Sequence, residues 1–338
     1  MRQIWIPKFG GPEVLEVREA PDPTPGAGEV RIRVEFTGIN FADIMARVGL
    51  YQDLPKIPTV AGYEVSGVID AVGPGVDTRE PGDRVVAFTR FGGHSEVVVV
   101  PKQQVFDIPD NMTAEAAAAM PVNYATAWLM LVRLGNVQPG DKVLVHAVAG
   151  GVGQAAVQIC NWRGAEVIGT ASASKHPRLK EMGVAHVIDY TREDFEERVR
   201  DITSGRGVDL VIDAVGGDSF KKSYRSLAPM GRLFMFGASS FAEGRKRSIP
   251  AVVKGLLTTP VFFPIALMNA NRGVFGVNLG HLWDEVEMLR ASMTEMLDLV
   301  RAGHLAPVVD RVFPFDQVAD AHIYIQDRRN FGKVLLRP

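Results

Sequence analysis

Short runs in which apolar and polar residues alternate dominate the first third of the chain, as at residues 29–34 (Glu-Val-Arg-Ile-Arg-Val) and 65–69 (Val-Ser-Gly-Val-Ile). A period of two puts every second side chain on one face of a strand, so these runs predict strands with one buried face. Pro81, Gly82 and Asp83 form a turn signal ahead of a strand at 84–88, and 94–100 reads as another. The pattern predicts a compact, β-rich first domain.

At Thr113 the pattern changes. Thr113 is a candidate N-cap with Glu115 in the first turn, and the alanines of 114–119 favour a helix that runs until Pro121. A second helix is predicted over 123–134, ending at Gly135. From Lys142 onward, near-continuous apolar runs at 143–146, 166–170, 186–189, 209–213, 231–236 and 274–277 alternate with helical stretches. Strands buried on both faces and spaced by helices predict a doubly wound parallel sheet. An amphipathic helix over 283–301 follows, then strands near 307–310 and 333–336. These lie past the sixth strand of the sheet, which leaves the tail free to return to the first domain. The expected division is therefore residues 1–122 with 280–338 as one domain and 123–279 as the other. No internal repeat or low-complexity segment interrupts this order.

Composition narrows the class of function. The chain has 338 residues and a formal net charge of -2, with no basic cluster interleaved with aromatics, so it lacks the field that would gather nucleic acid. Small molecules are the expected ligands. The single cysteine, Cys160, rules out an internal disulfide framework and a Cys-rich zinc site. The first residues hold no apolar core of signal-peptide length, which points to a cytoplasmic protein. The most lipid-like stretch, 249–270, is broken by Pro250, Lys254, Pro260 and Pro264 and is not expected to span a membrane.

The strongest chemical signal is a glycine-rich turn between a strand and a helix: Ala147, Gly150, Gly151, Val152 and Gly153 follow the run 143–146 and precede an apolar helix. Such a turn lets backbone approach a pyrophosphate while the helix N-terminus offers free N–H groups to it. An acid at the end of the next strand would bind the ribose 2′-hydroxyl of NAD. Here residues 169–176 carry Ser172, Ser174 and Lys175 and no acid, which suits the 2′-phosphate of NADPH, although Ser172 and Ser174 would serve equally as helix caps. Tyr190, closing the following strand, is within reach of the same pocket.

With these features in place the chain resembles the zinc-independent quinone oxidoreductases, the zeta-crystallin branch of the medium-chain dehydrogenase/reductase superfamily. The resemblance rests on residues 38–43, Arg47, 49–51, Pro58, 62–64 with Gly67, and 147–153, in family order. Residues 40–51, 122–124, 169–176 and 330–336 look closer still to the vesicle amine transport protein subgroup. The resemblance implies a GroES-like β-rich catalytic domain joined to a Rossmann NADP(H)-binding domain. It implies that Lys175 and Tyr190 meet the 2′-phosphate end of NADPH, that residues 275–278, including Phe275 and Val277, lie near the nicotinamide, and that two subunits pair through the last strand of the nucleotide sheet as a homodimer. Gly237, Asn330 and Lys333 complete the expected cofactor set.

In zinc-dependent members of the superfamily a cysteine stands at the place of Asn40 and a histidine at that of Tyr63. An amide and a phenol do not make a zinc site, which disfavours alcohol oxidation and favours a quinone or an activated enone as hydride acceptor. Tyr51 is the candidate proton donor or substrate-orienting hydroxyl, or else an aromatic plug. Its ordinary pKa near 10 suits an acid and not a base. Asn40 is expected to hydrogen-bond the substrate carbonyl or the nicotinamide ribose, Asp43 and Arg47 to form a structural pair, and Glu64 to brace the cleft. His94, His146 and Cys160 carry no assigned chemistry. The segment 239–272, with Arg245, Lys246 and Arg247 ahead of an apolar run, is a lid with Phe262 and Phe263 as walls for an apolar substrate, a dimer contact, or a peripheral membrane patch. Two functions compete: an NADPH-dependent quinone or enone reductase, and a nucleotide-binding regulatory or membrane-associated protein with little activity.

Overall fold

The computed structural model describes residues 1–242 and 244–338 and resolves into two compact units. The first comprises Met1–Ala125, Gly244–Arg247 and Leu279–Pro338; the second comprises Thr126–Glu243 and Ser248–Asn278.

In the first unit a small antiparallel sheet, Glu16–Glu19 with Arg2–Ile6 and Thr59–Val60, accompanies a seven-stranded one. The larger sheet runs Val309–Pro314, Lys333–Arg337, Glu29–Ile39, Glu64–Val72, Arg84–Phe88 and Val105–Asp107, with Val97–Pro101 also pairing to Glu29–Ile39. The alternation read in the sequence becomes its core: Val30, Ile32 and Val34 point inward against Val65, Ile69, Val85 and Val98. Glu29–Ile39 shifts register twice against Glu64–Val72, and there Gly67 is obligatory, because a Cβ would lie 2.0 Å from the Arg33 carbonyl oxygen. The C-terminal strand sits inside this sheet, pairing Val334 with Ile39 and Leu335 with Gly38.

The second unit is a six-stranded sheet whose pairings are all parallel. Its order is His186–Asp189, Glu166–Ala171, Lys142–Val145, Val208–Asp213, Leu227–Met235 and Gly273–Gly276. Chain order reverses beside Lys142–Val145, which is the switch point where open α/β sheets bind ligands. Leu144, Ile168, Val211 and Leu233 are wholly buried, as the near-continuous apolar runs require. The doubly wound arrangement and the β-rich companion are the expected fold class.

Several boundaries differ from the sequence pattern for local reasons. Thr113 does cap the first helix, accepting from the Ala116 N–H at 3.2 Å, but that helix is only Ala114–Ala118. Pro121 opens the next helix instead of merely ending the previous one, as proline at a first helical position does. That helix, Pro121–Trp128, widens into a π-helical turn over Leu129–Leu134. The amphipathic helix begins at Val286 and not at residue 283, because the Trp283 ring is buried edge-on against Phe88, 5.9 Å between centroids. Between residues 239 and 272 lie two short helices, Ile249–Thr258 and Pro264–Ala270, each with a proline in its first turn. Among the described residues no helix is long and apolar enough to cross a membrane.

Packing of this kind sets a measurable contrast. Ile69→Ala, at a side chain 1% exposed, is expected to cost about 2–5 kcal/mol in urea unfolding. Leu257→Ala, at a side chain 82% exposed, is expected to change stability by no more than about 0.5 kcal/mol.

Candidate functional site

The second unit holds the glycine turn where the sequence puts it, after Lys142–Val145 and at the start of the helix Gly151–Arg163. Ala147 adopts a left-handed φ of 51°, and Gly150 is the N-cap. Gly153 admits no side chain: a Cβ would stand 2.6 Å from the Ala147 carbonyl oxygen and 2.6 Å from the Val148 Cα. The turn is therefore bare backbone, packed close, and the first-turn amides of Gly151, Val152 and Gly153 have no intrahelical acceptor. This is the arrangement a pyrophosphate needs, so the residues present fit a dinucleotide.

At the end of the neighbouring strand, Ser172 and Ser174 stand 3.5 Å apart at their hydroxyls, and Lys175 ends a short helical turn over Ala173–Lys175. Tyr190 is 40% exposed directly after His186–Asp189. Gly237 is held against Ala214, 2.9 Å from its carbonyl oxygen to where a Cβ would be. Phe275 stacks on Phe234 at 5.1 Å, and Val277 is buried with its N–H on the Met235 carbonyl. Phe262 packs into the apolar core of this unit against Tyr224, 5.2 Å between ring centroids, whereas Phe263 is exposed.

The first unit carries a buried polar cluster around Asn40. The Lys333 ammonium donates to Asn40 Oδ1 at 2.7 Å and to Glu64 Oε1, and Asn40 Nδ2 donates to the same Glu64 oxygen at 2.9 Å. The other Glu64 oxygen accepts the Val122 N–H at 2.7 Å. Glu64 and Lys333 are 0% and 3% exposed, so neither meets solvent. Asn40 also opens the helix Phe41–Arg47, and Asp43 in its first turn reaches back to the Asn40 N–H at 2.7 Å and takes the Gly62 N–H at 3.1 Å. His94 faces Asp43 at 3.5 Å and contacts the Thr37 hydroxyl at 3.1 Å. Burial alone would raise Asp43, but the His94 ring and the Asn40 N–H outweigh it and hold the carboxyl below its usual range.

This geometry corrects the expected pairing of Asp43 with Arg47. Their spacing favours contact on a helix face, but the reach back to Asn40 turns Asp43 the other way. Arg47 is completely buried and donates to the carbonyls of Gly10 and Arg245 and to Gln326 Oε1; desolvation lowers it to about 10. His94 had no assigned role in the sequence, and neither did His146, which ends a strand in the second unit. The signal for both is a polar side chain beside an otherwise apolar run that the fold must bury. Asn330 donates to the Gly332 carbonyl at 3.0 Å, and so shapes the turn that delivers Lys333.

Tyr51 and Tyr63 line a cavity of about 350 Å³ within the first unit, together with Asp53, Arg90, Phe91, His281, Trp283 and Asp284. The two tyrosines meet edge to face at 6.1 Å, and Tyr63 leans on Phe91 at 5.3 Å. His281 Nε2 and the Asp53 carboxylate, 2.8 Å apart, hold the rim. Burial raises the Tyr51 phenol above its ordinary range and raises that of Tyr63 much further, so both are neutral phenols at physiological pH. Among the described residues no group of three or more His, Cys, Asp and Glu side chains is placed to hold a metal ion. Cys160 is buried, and burial pushes its thiol up and out of reactive range.

Two outcomes test the buried groups. Lys333→Met strands the Glu64 charge and is expected to cost about 3–5 kcal/mol in urea unfolding, with part of the loss recovered by adding Glu64→Gln. Burial, helped by Arg47, holds His322 down to about 3. Between there and about 6.5 the unfolded chain carries a proton that the folded protein does not, so unfolding free energy drops with falling pH by about 1.4 kcal/mol per unit from this group. His322→Leu is expected to flatten that slope in urea midpoints taken at pH 7, 6 and 5.

Comparison with known proteins extends across the whole chain. Residues 26–110 match the family described as alcohol dehydrogenase GroES-like domain, and residues 182–336 match the one described as zinc-binding dehydrogenase. The synaptic vesicle membrane protein VAT-1 homolog of Homo sapiens is 45% identical over all of this chain and 86% of its own length. The crystal structure of human VAT-1 homolog-like protein superposes with a TM-score of 0.87 at 34% identity, covering 100% of this chain and 98% of that one. The Escherichia coli quinone oxidoreductase complexed with NADPH superposes with a TM-score of 0.88 at 30% identity over both chains in full. On the turn, the two units and these likenesses together, the chain belongs to the medium-chain dehydrogenase/reductase superfamily of oxidoreductases, close to the VAT-1 homologs and the quinone oxidoreductases.

Proposed function

We propose that this protein is a zinc-independent, NADPH-dependent reductase of quinones or activated enones. The observation that carries the proposal is the state of Asn40 and Tyr63. Both atoms of the Asn40 amide are spent on Lys333 and Glu64, and the Tyr63 phenol is buried and neutral. Neither offers the anionic or imidazole donor that zinc takes, so no Lewis acid would stabilise an alkoxide here. An acceptor whose developing negative charge spreads onto an oxygen needs less help.

The glycine turn would hold the pyrophosphate of NADPH, with Ser172, Ser174, Lys175 and Tyr190 around its 2′-phosphate. Bound NADPH supplies the hydride. The chain's own part is to orient the acceptor and provide a proton. Tyr51, neutral and lining an aromatic-walled cavity, holds its proton at the phenol oxygen and offers it to the acceptor's oxygen as charge develops there. The cavity lining combines four aromatic rings with Asp53, Arg90, His281 and Asp284, which suits a flat ring that carries polar oxygens, as a quinone does.

A homodimer belongs to the same proposal. Gly273–Gly276 ends the six-stranded order and pairs with Leu227–Met235 alone, leaving an edge that a second copy would extend. Leu256, Leu257, Val261, Phe263, Ile265 and Met268, in the segment just before it, are all more than 60% exposed. The same apolar side chains support a second function, that of a peripheral membrane-associated or regulatory protein, and the named vesicle relatives favour it. The basic run contributes less to that function than its sequence suggests, because Arg245 pairs with Asp327 at 3.7 Å and Lys246 with Glu13 at 3.3 Å. A cytoplasmic location accords with either.

Oxidation of NADPH by purified protein, followed at 340 nm against a panel of quinones and enones, decides between them. Turnover with at least one is expected, with Tyr51→Phe lowering kcat roughly a hundredfold. Lys175→Glu is expected to raise the Kd for NADPH at least about tenfold and to leave NADH little changed. NADPH binding without turnover on any acceptor, joined to flotation with anionic liposomes, would establish the second function instead.

A further inference from the structure

At the switch point of the nucleotide sheet, three neighbouring strands end in polar side chains that water does not reach. His146, Thr170, Asp213 and the facing Ser223 are 3%, 3%, 0% and 0% exposed. Their hydrogens follow from the carboxylate at one end. The Asp213 carboxylate only accepts: Oδ2 takes the hydroxyls of Ser219 and Ser223, each at 2.7 Å, and Oδ1 takes the Val215 N–H at 2.7 Å. Ser223 has then used its proton, so at 3.0 Å it must accept from His146 Nε2. Desolvation outweighs the pull of Asp213 and keeps His146 below its ordinary range, hence neutral, with a bare Nδ1. The Thr170 hydroxyl, 3.2 Å away, donates to that nitrogen and is free to accept the Ala147 N–H at 3.3 Å.

The result is one directed chain, from the Ala147 amide through Thr170, His146 and Ser223 to the Asp213 carboxylate. Phe195 closes it off, edge-on to the imidazole at 4.5 Å. Its first link falls on the residue of the glycine turn that has a left-handed backbone, and the Thr170 carbonyl takes the next amide, Val148, at 3.2 Å. Its last link also fixes the turn after Val208–Asp213, where Gly216 and Gly217 both have positive φ. Two turns at the ligand-binding edge of one sheet are thus held by one set of buried hydrogen bonds.

We propose that His146, as its Nε2–H tautomer, is a positioning residue that sets the 147–153 turn for a dinucleotide pyrophosphate through Thr170. A neutral imidazole accepts at one ring nitrogen and donates at the other, so it passes a hydrogen bond across this gap without a charge. Without the Thr170 hydroxyl, the Ala147 amide loses its buried acceptor and the turn loses the contact that opposes its strain. The proposal rests on NADPH as the cofactor.

The test compares Thr170→Val with Thr170→Ser in the full chain, by calorimetric titration with NADPH and with adenosine 2′-monophosphate, which carries the 2′-phosphate but no 5′-phosphate to reach the turn. Thr170→Val is expected to weaken NADPH about tenfold while leaving adenosine 2′-monophosphate within twofold, and Thr170→Ser to bind both as the wild type does. Nitrogen-15 NMR of the wild-type histidines is expected to show His146 protonated at Nε2 and unchanged from pH 8 to pH 6. Equal loss of both ligands in Thr170→Val, unchanged NADPH affinity in it, or a His146 protonated at Nδ1 would each overturn the proposal. Should Thr170→Val fail to fold, the tautomer measurement still decides. Failure of the cofactor assignment looks different: the wild type itself would then bind neither nucleotide.

Discussion

The ion pair between Lys333 and Glu64 is almost wholly out of water, and much of the first unit is arranged to make that tolerable. Two bare charges in such a place would be prohibitively desolvated. The fold answers with bonds to both carboxylate oxygens, one from Lys333 and Asn40 and the other from the Val122 amide. Lysine comes from the last strand, glutamate from the start of a central one, and asparagine from the end of a third, so the contact requires the C-terminal strand to sit inside the sheet. The pair adds little net stability for its cost, but it strongly disfavours arrangements in which one partner is left alone.

Asn40 extends that constraint into chemistry. With its carbonyl taken by Lys333, half of its amide by Glu64 and its backbone N–H by Asp43, the side chain has one fixed orientation. A cysteine there would leave the Lys333 ammonium and Glu64 without their bridging amide. The same polar network that fixes Asn40 therefore keeps a thiolate out. The second unit meets its own problem of buried polarity differently, with a single carboxylate at the head of a chain of neutral donors. Both units close the ends of central strands with buried, mutually oriented hydrogen bonds, and low dielectric makes such sets rigid.

How far this was legible depends on the range of the interaction. The six parallel strands could be read because strands covered on both faces are apolar along their whole length, and the glycine turn because its spacing answers a local steric demand that Gly153 still shows. Asp43 and Arg47 were misleading because four-residue spacing predicts contact only when neither group has a better partner, and Asp43 finds the backbone of Asn40. Helix starts shifted where tertiary packing overrode local preference, as when Trp283 turned inward to Phe88. His94 and His146 signalled only burial, as polar side chains beside apolar runs, and nothing local in the sequence named the partners of either or of Asp213. The partners of the two histidines are 24 to 77 residues away, and although those bonded to Asp213 lie within ten residues of it, only the folded sheet brings the whole set together.

The basic run at 245–247 makes the same point about charge. Read along the chain, Arg245, Lys246 and Arg247 resemble a patch for anionic surfaces. In the fold the short stretch Gly244–Arg247 groups with the first unit, although the helix that follows it groups with the second. Its anchors are largely backbone: Arg47 donates to the Arg245 carbonyl and Gln326 to that of Gly244. The two ion pairs, to Asp327 and Glu13, are solvent-exposed and add little energy, but they commit two of the three positive charges to this surface. Arg47, buried and with no carboxylate bonded to it among the described residues, is the stronger element, because its desolvated guanidinium spends its donors on two carbonyls and Gln326 supplies the third partner. A buried arginine whose partners are backbone oxygens fixes where the chain runs regardless of which side chains that chain carries. The basic identity of 245–247 is therefore dispensable for holding the segment in place, and its conformation is not.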